Sequence, residues 1–260
     1  MFGLRSKGAK APDARLVEAR ARLLTARVVH AMAWPPPDML PAIMAQWSAA
    51  ERDEIIQKYD AASRAMRTSL ESSGAWADAS PDEKAFFSAR ITERTQQQLI
   101  DSSWAVEAIA CCLWALNLIP ALPAYDTEAG HDVMKLLPLP EVAPPSLRSK
   151  EELEHAQSIA ELWHWRSRTR WLMESGRSVP LSNGMTLDQI VRLTARTAAG
   201  QGDIPEPRDE DFPALGKAYR DLSPEEYSGV TSIAAERHKA LNWICGMAPK
   251  NRWDETPTDT

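Results

Sequence analysis

Glu107 is the residue whose type and position in this sequence are best suited to chemistry. It is the one charged residue in a long apolar segment, with Trp104 one helical turn before it and Trp114 two turns after it. An ionised carboxylate is costly to bury unless a cation pairs with it or its pKa is raised so that it binds a proton. We therefore predict a buried partner for Glu107, and the candidates are Arg166 and Arg237.

Two roles are open for this carboxylate. As half of a buried ion pair it would fix how three helices pack, and breaking such a pair typically costs about 3–5 kcal/mol. At the bottom of a tryptophan-lined pocket it would instead anchor a ligand or act as a general acid or base. The candidate centre, whether structural or ligand-binding, comprises Trp104, Glu107, Trp114, Trp165, Arg166, Arg237, His238, Asn242 and Trp243.

The histidines indicate neither a catalytic nor a metal site. Arg237 and His238 are consecutive, and consecutive helix positions point about 100° apart. If Arg237 faces the core, we expect His238 nearer the rim, as a surface or interface residue. His155 and His164 lie nine positions apart, which is not a metal-ligand spacing, and no HExxH, GxGxxG, P-loop or nucleophile motif is present. We predict no metal and no cofactor.

The end of the chain carries a second candidate contact. We predict that Trp253 docks onto the helices and that Asp254 or Asp259 meets an arginine or a helix N-terminus. The alternative is an exposed tail that a partner recognises. The predicted docking motif is Trp253, Asp254, Thr258 and Asp259.

The elements that must position these residues are helices. A first helix is predicted from about Asp13 to Ala33, and clean strand patterns are missing. Further helices are predicted to start at Ser48, Ser80, Thr95, Asp126, Ser149, Thr186 and Ser223, several of them with a Glu or Gln three residues later that completes a capping box. The segment after Thr95 is apolar nearly all round, which is typical of a helix surrounded by others. We predict an all-α, single-domain irregular helical bundle around a buried central helix, at about 95–118, with a proline-rich connector at 138–145 and a loop at 201–212.

Composition limits the class of protein. The chain has 260 residues, 44% of them hydrophobic, and a net charge of −6, values that are ordinary for a globular protein. Two of the three cysteines, Cys111 and Cys112, are adjacent, which fits neither a disulfide framework nor a zinc site and favours a reducing compartment. The apolar stretch Trp104–Leu122 contains Glu107 and Pro120, which argues against a membrane span. We expect a soluble, cytoplasmic protein.

Charge is distributed unevenly. The N-terminal region is rich in arginine and lysine, whereas 203–211 is acidic. A basic helix could bind nucleic acid, but the chain is acidic overall and carries no recognition motif, so nucleic acid is an unlikely partner. The simpler interpretation is a solvated helix face, paired in part with the acidic segment.

Three stretches together resemble the domain-of-unknown-function 4272 family, whose members are mostly bacterial. They read QLIDSSWAVEA at 98–108 with LWAL at 113–116, ERHKALNW at 236–243 and WDETPTDT at 253–260, and LWHWR at 162–166 is also similar. The resemblance covers the chain from about Trp76 to its end and implies a helical fold, but no activity. We divide the chain into a flexible basic N-terminus at 1–12, N-terminal helices at 13–74 packed on the main bundle, and a family-like helical domain at 75–260.

The leading hypothesis is a helical binding or regulatory module for a protein or a small ligand, because no catalytic set of residues accompanies the charged, tryptophan-rich centre. A first alternative is a hydrolase-type enzyme in which Glu107 is the acid or base and His238 or Arg237 assists. A second alternative is nucleic-acid binding through the basic first helix, which would be strongly salt-dependent. We consider a non-enzymatic role the more plausible one.

Overall fold

The computed structural model describes residues 10–33, 35, 38–137, 146–176 and 184–259. It is 68% helical, which confirms the all-α prediction. The predicted connector at 138–145 and nearly all of the basic N-terminus lie outside the described residues.

Most of the helices begin where the sequence signals place them, although no signal predicted the short helix Leu40–Met44. Ser48, Thr95 and Ser149 each accept a hydrogen bond from the backbone three residues on, and a Glu or Gln at that position bonds back to the cap. The α-helices are α1 (Ala14–Met32), α2 (Leu40–Met44), α3 (Ala49–Ser72), α4 (Pro81–Ser88), α5 (Gln96–Ala115), α6 (Lys150–Glu174), α7 (Leu187–Gln201) and α8 (Pro224–Ile244). Short 3₁₀ turns lie at Ala75–Asp78, Ile91–Glu93, His131–Leu136, Tyr219–Asp221, Pro249–Asn251 and Trp253–Glu255.

Helix α5 lies at the centre, as predicted. It packs against α1 on one side and α8 on the other, and α6 packs on α8. Its residues from Ala105 to Leu113 are all buried, because helices and the 3₁₀ turn His131–Leu136 cover its different faces. Helices α3 and α4 contact α1 from outside, and α7 contacts α6.

Two local expectations are corrected. A small antiparallel hairpin pairs β1 (Pro213–Ala214) with β2 (Lys217–Ala218) through a turn with positive φ at Leu215 and Gly216. Strands of two residues are too short to show an alternating pattern, so the sequence gave no signal for them. The helix expected from Asp126 is instead a turn followed by the 3₁₀ segment His131–Leu136.

The charged segments do not pair in the way we expected. The acidic segment contacts α6 and α7, since Asp211 pairs with Arg166 and Glu210 with Arg192. In α1, Arg20 is buried against Glu83 and is therefore not part of a solvated basic face. In the described part of the chain, none of the helices combines the length and apolar character that a bilayer crossing requires.

Candidate functional site

Glu107 is completely buried and pairs with Arg237. Its Oε2 accepts a hydrogen bond from Arg237 Nε at 2.8 Å and lies 2.7 Å from Arg237 Nη2, and its Oε1 accepts a hydrogen bond from the backbone N–H of Ala129 at 2.7 Å. Both side chains have zero exposure. Of the two candidate partners, Arg237 is therefore the one that balances this charge, and neither carboxylate oxygen is left for a substrate.

Arg237 also organises the loop that follows α5. It donates to the backbone carbonyls of Pro123 at 2.6 Å, Ala124 at 3.2 Å and Thr127 at 2.9 Å. Its guanidinium lies 5.0 Å from the centre of the Tyr125 ring. The buried ion pair thus fixes the backbone of 123–129 from α5 and α8 at once.

We expected Glu107 to lie among tryptophans, and Trp104 and Trp114, three and seven positions away, are on its side of α5. Its hydrogen bonds in the structure are instead with Arg237 and the backbone of Ala129. Trp104 and Trp114 are both only half-buried, and Trp114 stacks under Arg148 at 4.7 Å. Trp165 packs near Phe212, with 6.3 Å between ring centres. The polar side chain nearest to Glu107 is that of Arg237, and Glu107 lies between α5, α8 and the loop 123–129.

Arg166, the other candidate, belongs to a separate buried ion pair. Its Nε and Nη2 bind the two oxygens of Asp211 at 2.7 and 2.6 Å. Asp211 also accepts from the backbone N–H groups of Phe212 and Arg220, and together with Arg166 these hydrogen bonds hold its pKa below the usual value in spite of burial. This pair fastens the 208–220 segment to α6, since Arg166 also lies over the Tyr219 ring.

A cleft of about 260 Å³ lies on the outer side of the loop that Arg237 holds. Tyr125 stacks on Trp163 of α6 beside it, with 5.4 Å between ring centres and an interplanar angle of 6°. The walls are mainly apolar, from Leu122, Pro123, Ile159 and Pro213, and the carboxylates of Asp126 and Asp203 also line it. We call this space the Tyr125–Trp163 cleft.

His238 is not at the rim, as expected, but buried to 1% exposure in the interface of α6 and α8. Its Nδ1 lies 2.9 Å from His164 Nδ1, and its Nε2 lies 2.9 Å from Asn242 Nδ2. The Asn242 Oδ1 accepts from Gln157 Nε2 at 2.9 Å. Arg237 and His238 can both be buried because α8 is covered on two faces, by α5 and by α6.

Burial lowers the pKa of each of the buried histidines. The pKa of His164 falls to about 4, with the nearby positive charge of Arg168 as a second cause, and that of His238 falls to about 3, with His164 as the second cause. His30 is held between Ser63 and Arg94, and burial followed by the Arg94 charge lowers its pKa to about 4. All three are therefore neutral at neutral pH.

The C-terminal motif packs on the bundle. Trp253 is 2% exposed, with its ring 5.7 Å from that of Trp243, and Arg20 lies over both rings. The Asp254 carboxylate accepts from the backbone N–H of Asp82 in the first turn of α4 at 3.3 Å. Thr258 is half-buried and Asp259 is exposed.

Several buried polar residues escaped sequence reasoning. Arg20 and Glu83 form an ion pair of 2.5 Å, and Glu83 is also the third residue of a capping box with Ser80, a pattern that could have been found. Gln157 and His164 carry no comparable local signal, because their partners lie on another helix. In the described part of the chain no three His, Cys, Asp or Glu residues are grouped to hold a metal ion.

The comparisons place this helical architecture in a family. The model of the family described as Domain of unknown function (DUF4272) matches residues 9–188, well over half of the chain. The chain belongs to this family. The match includes the first helices, whereas we expected the resemblance to begin near Trp76, and it ends before the motifs at 236–243 and 253–260. No curated protein and no solved structure matches the chain.

Proposed function

We propose that this DUF4272 chain is a binding module and that its Tyr125–Trp163 cleft takes an alkyl or aryl ammonium group. One observation carries the proposal: a buried ion pair makes hydrogen bonds to the backbone that forms one wall of this cleft. Arg237 and Glu107 together make four hydrogen bonds to the backbone of 123–129. Because this backbone is already ordered before a ligand binds, the entropic cost of association is lower.

The chemistry of the cleft selects the ligand. An apolar space of about 260 Å³ accommodates a side-chain-sized apolar group. Asp126 and Asp203 are partly exposed there, so a positively charged group attached to the apolar part finds two carboxylates. The Asp126 Oδ2 is already positioned by a hydrogen bond from the backbone of Leu215 at 2.8 Å. The complementary ligand is therefore an organic cation, either a free amine or the side chain of a partner protein's lysine.

Glu107 acts in this proposal as a positioning residue. Its oxygens face Arg237 and Ala129 inside the protein, so it contributes through the shape of the loop and not by touching the ligand. No observation on the described residues favours Glu107 as a hydrolase acid or base. The nucleic-acid alternative is likewise without support, since Arg20 of α1 is buried in an ion pair. A cytoplasmic location remains our proposal and is consistent with three free cysteines.

The test is ligand-observed NMR with 2-phenylethylamine, compared with the neutral 2-phenylethanol. We expect the amine to bind in the millimolar range and the alcohol more weakly. Asp203→Asn and Asp126→Asn should each weaken binding of the amine by about threefold to tenfold, because rim charges contribute modestly. The matched control is Asp221→Asn, which removes an exposed carboxylate outside the cleft and should leave affinity unchanged.

An acetylated phenylalanyl-lysine amide, tested in parallel, distinguishes the two sources of the cation. Tighter binding of the dipeptide supports a partner's lysine, and tighter binding of the free amine supports a small molecule. Equal binding of amine and alcohol, or no response to the two cleft substitutions, refutes the proposal.

A further inference from the structure

A second cavity lies between α6 and α8, separate from the Tyr125–Trp163 cleft. It has a volume of about 260 Å³ and is lined by His164, Ser167, Arg168 and Trp171 of α6 and by Tyr227 and Thr231 of α8. The spacing explains the arrangement, because positions separated by three, four and seven residues share one face of a helix. We call this space the His164 groove.

His164 is the buried polar group of this groove. It is 7% exposed, and its Nδ1 is occupied by His238 at 2.9 Å. Its Nε2 has no hydrogen-bond partner among the described residues, although the side chain lines the cavity. Because this nitrogen borders the groove, a ligand in the groove can hydrogen-bond to it.

The hydrogen-bond network decides which nitrogen of His164 carries the proton. The Asn242 Nδ2 donates to the backbone carbonyl of Pro257 at 2.8 Å, which fixes the orientation of its amide. The same NH₂ group faces His238 Nε2 at 2.9 Å, so that nitrogen must accept. His238 therefore carries its proton on Nδ1 and donates it to His164 Nδ1. The proton of His164 is left on Nε2, which makes it a hydrogen-bond donor to the groove.

The lowered pKa values agree with this chain of donors. If His164 were protonated, two N–H groups would face each other across the contact between the two Nδ1 atoms. If His238 were protonated, its Nε2–H would face the NH₂ group of Asn242. The pKa values of about 4 for His164 and about 3 for His238 keep both rings neutral at physiological pH. His164 is thereby a fixed donor, and its groove-facing nitrogen has no lone pair with which to act as a general base.

The remaining lining supplies a cation and an aromatic face. Arg168 is exposed and makes no salt bridge within the described ranges, yet it is near enough to lower the pKa of His164. Trp171 is 43% exposed, which is unusual for so large an apolar side chain. Ser167 and Tyr227 are joined by a hydrogen bond from the tyrosine hydroxyl to the serine carbonyl at 2.9 Å, which holds the floor of the groove between the helices.

We propose that the His164 groove binds a small planar organic anion. Its carboxylate accepts the His164 Nε2–H and pairs with Arg168, and its ring lies against Trp171. The ligand is held without being transformed, because His164 can donate but cannot remove a proton.

The test uses 2-naphthoate, with the neutral 2-naphthamide as its control, measured by calorimetric titration of the full chain. Arg168→Gln and His164→Asn should each weaken naphthoate binding by about tenfold or more, because each removes a charge-assisted contact. His164→Gln places an amide near the former Nε2 position and should recover part of the affinity. His155→Gln, at a histidine whose side chain is 64% exposed, and Asp203→Asn, in the other cleft, should both leave it unchanged.

Imidazole ¹⁵N NMR reads the tautomers directly, and we expect the proton on Nε2 of His164 and on Nδ1 of His238. The opposite assignment overturns the proposal. So does naphthamide binding as tightly as naphthoate, or an Arg168→Gln variant with full affinity. Because Arg168 is exposed, that variant remains informative even if a His164 variant fails to fold.

Discussion

Glu107→Gln is the substitution that most directly tests the buried ion pair. Glutamine keeps an oxygen for the backbone N–H of Ala129 but removes the charge that faces Arg237. Arg237 then remains fully buried, with backbone carbonyls as its remaining partners. We expect the free energy of unfolding to fall by about 3–5 kcal/mol, the cost of leaving one charge of a buried pair without its partner.

Arg237→Met should cost still more. It also leaves the partly buried carbonyls of Pro123 and Thr127 without their donor, and each lost hydrogen bond adds about 0.5–1.5 kcal/mol. The double variant Glu107→Met with Arg237→Met should be less destabilised than the sum of its single variants, because it strands no charge. This non-additivity separates the ion pair from a simple loss of packing.

Urea unfolding followed by tryptophan fluorescence measures these differences. Glu54→Gln is the matched control, because Glu54 pairs with Lys58 on the surface with exposed fractions of 65% and 70%. That substitution should change stability by about 1 kcal/mol or less. If Glu107→Gln behaved like Glu54→Gln, the reasoning that places an essential buried charge at the centre of the molecule would be refuted.

Three further predictions concern stability. Between about pH 4 and pH 6.5 the three buried histidines bind fewer protons in the folded chain than in the unfolded chain. The free energy of unfolding should therefore fall as the pH drops, by on the order of 1–2 kcal/mol per histidine between about pH 7 and pH 5. Urea midpoints at several pH values measure this change, and a flat profile contradicts it. Truncation after Lys250 removes the buried Trp253 and should cost about 3–5 kcal/mol, and an unchanged melting temperature would rule out docking of the tail. Gly246→Ala should destabilise the protein more than Gly216→Ala, although both glycines have φ of +75°. A Cβ at position 246 would lie 2.8 Å from the Ala11 Cα, whereas a Cβ at position 216 would meet no atom within 4 Å. Thermal melts that rank the two variants the other way contradict this prediction.

The sequence by itself determined where most of the helices begin and which one is central. Capping boxes such as Ser48 with Glu51 are local, since each partner is three residues from the other, and the structure contains them as predicted. The segment after Thr95 is apolar on every face, and this pattern alone predicts a central helix, because only a helix surrounded by others can bury every face. The need of Glu107 for a cation follows from the cost of burying a charge.

Only the tertiary structure decided which partner each buried group has. Arg166 and Arg237 are chemically equal candidates for Glu107, and the choice of Arg237 depends on α8 packing beside α5 while α6 carries Arg166 to Asp211. The burial of His238 and its contact with His164 join residues that are 74 positions apart, a distance over which no helical spacing applies. The two cavities also depend on the tertiary structure, because each is a space between elements that are brought together only when the chain folds.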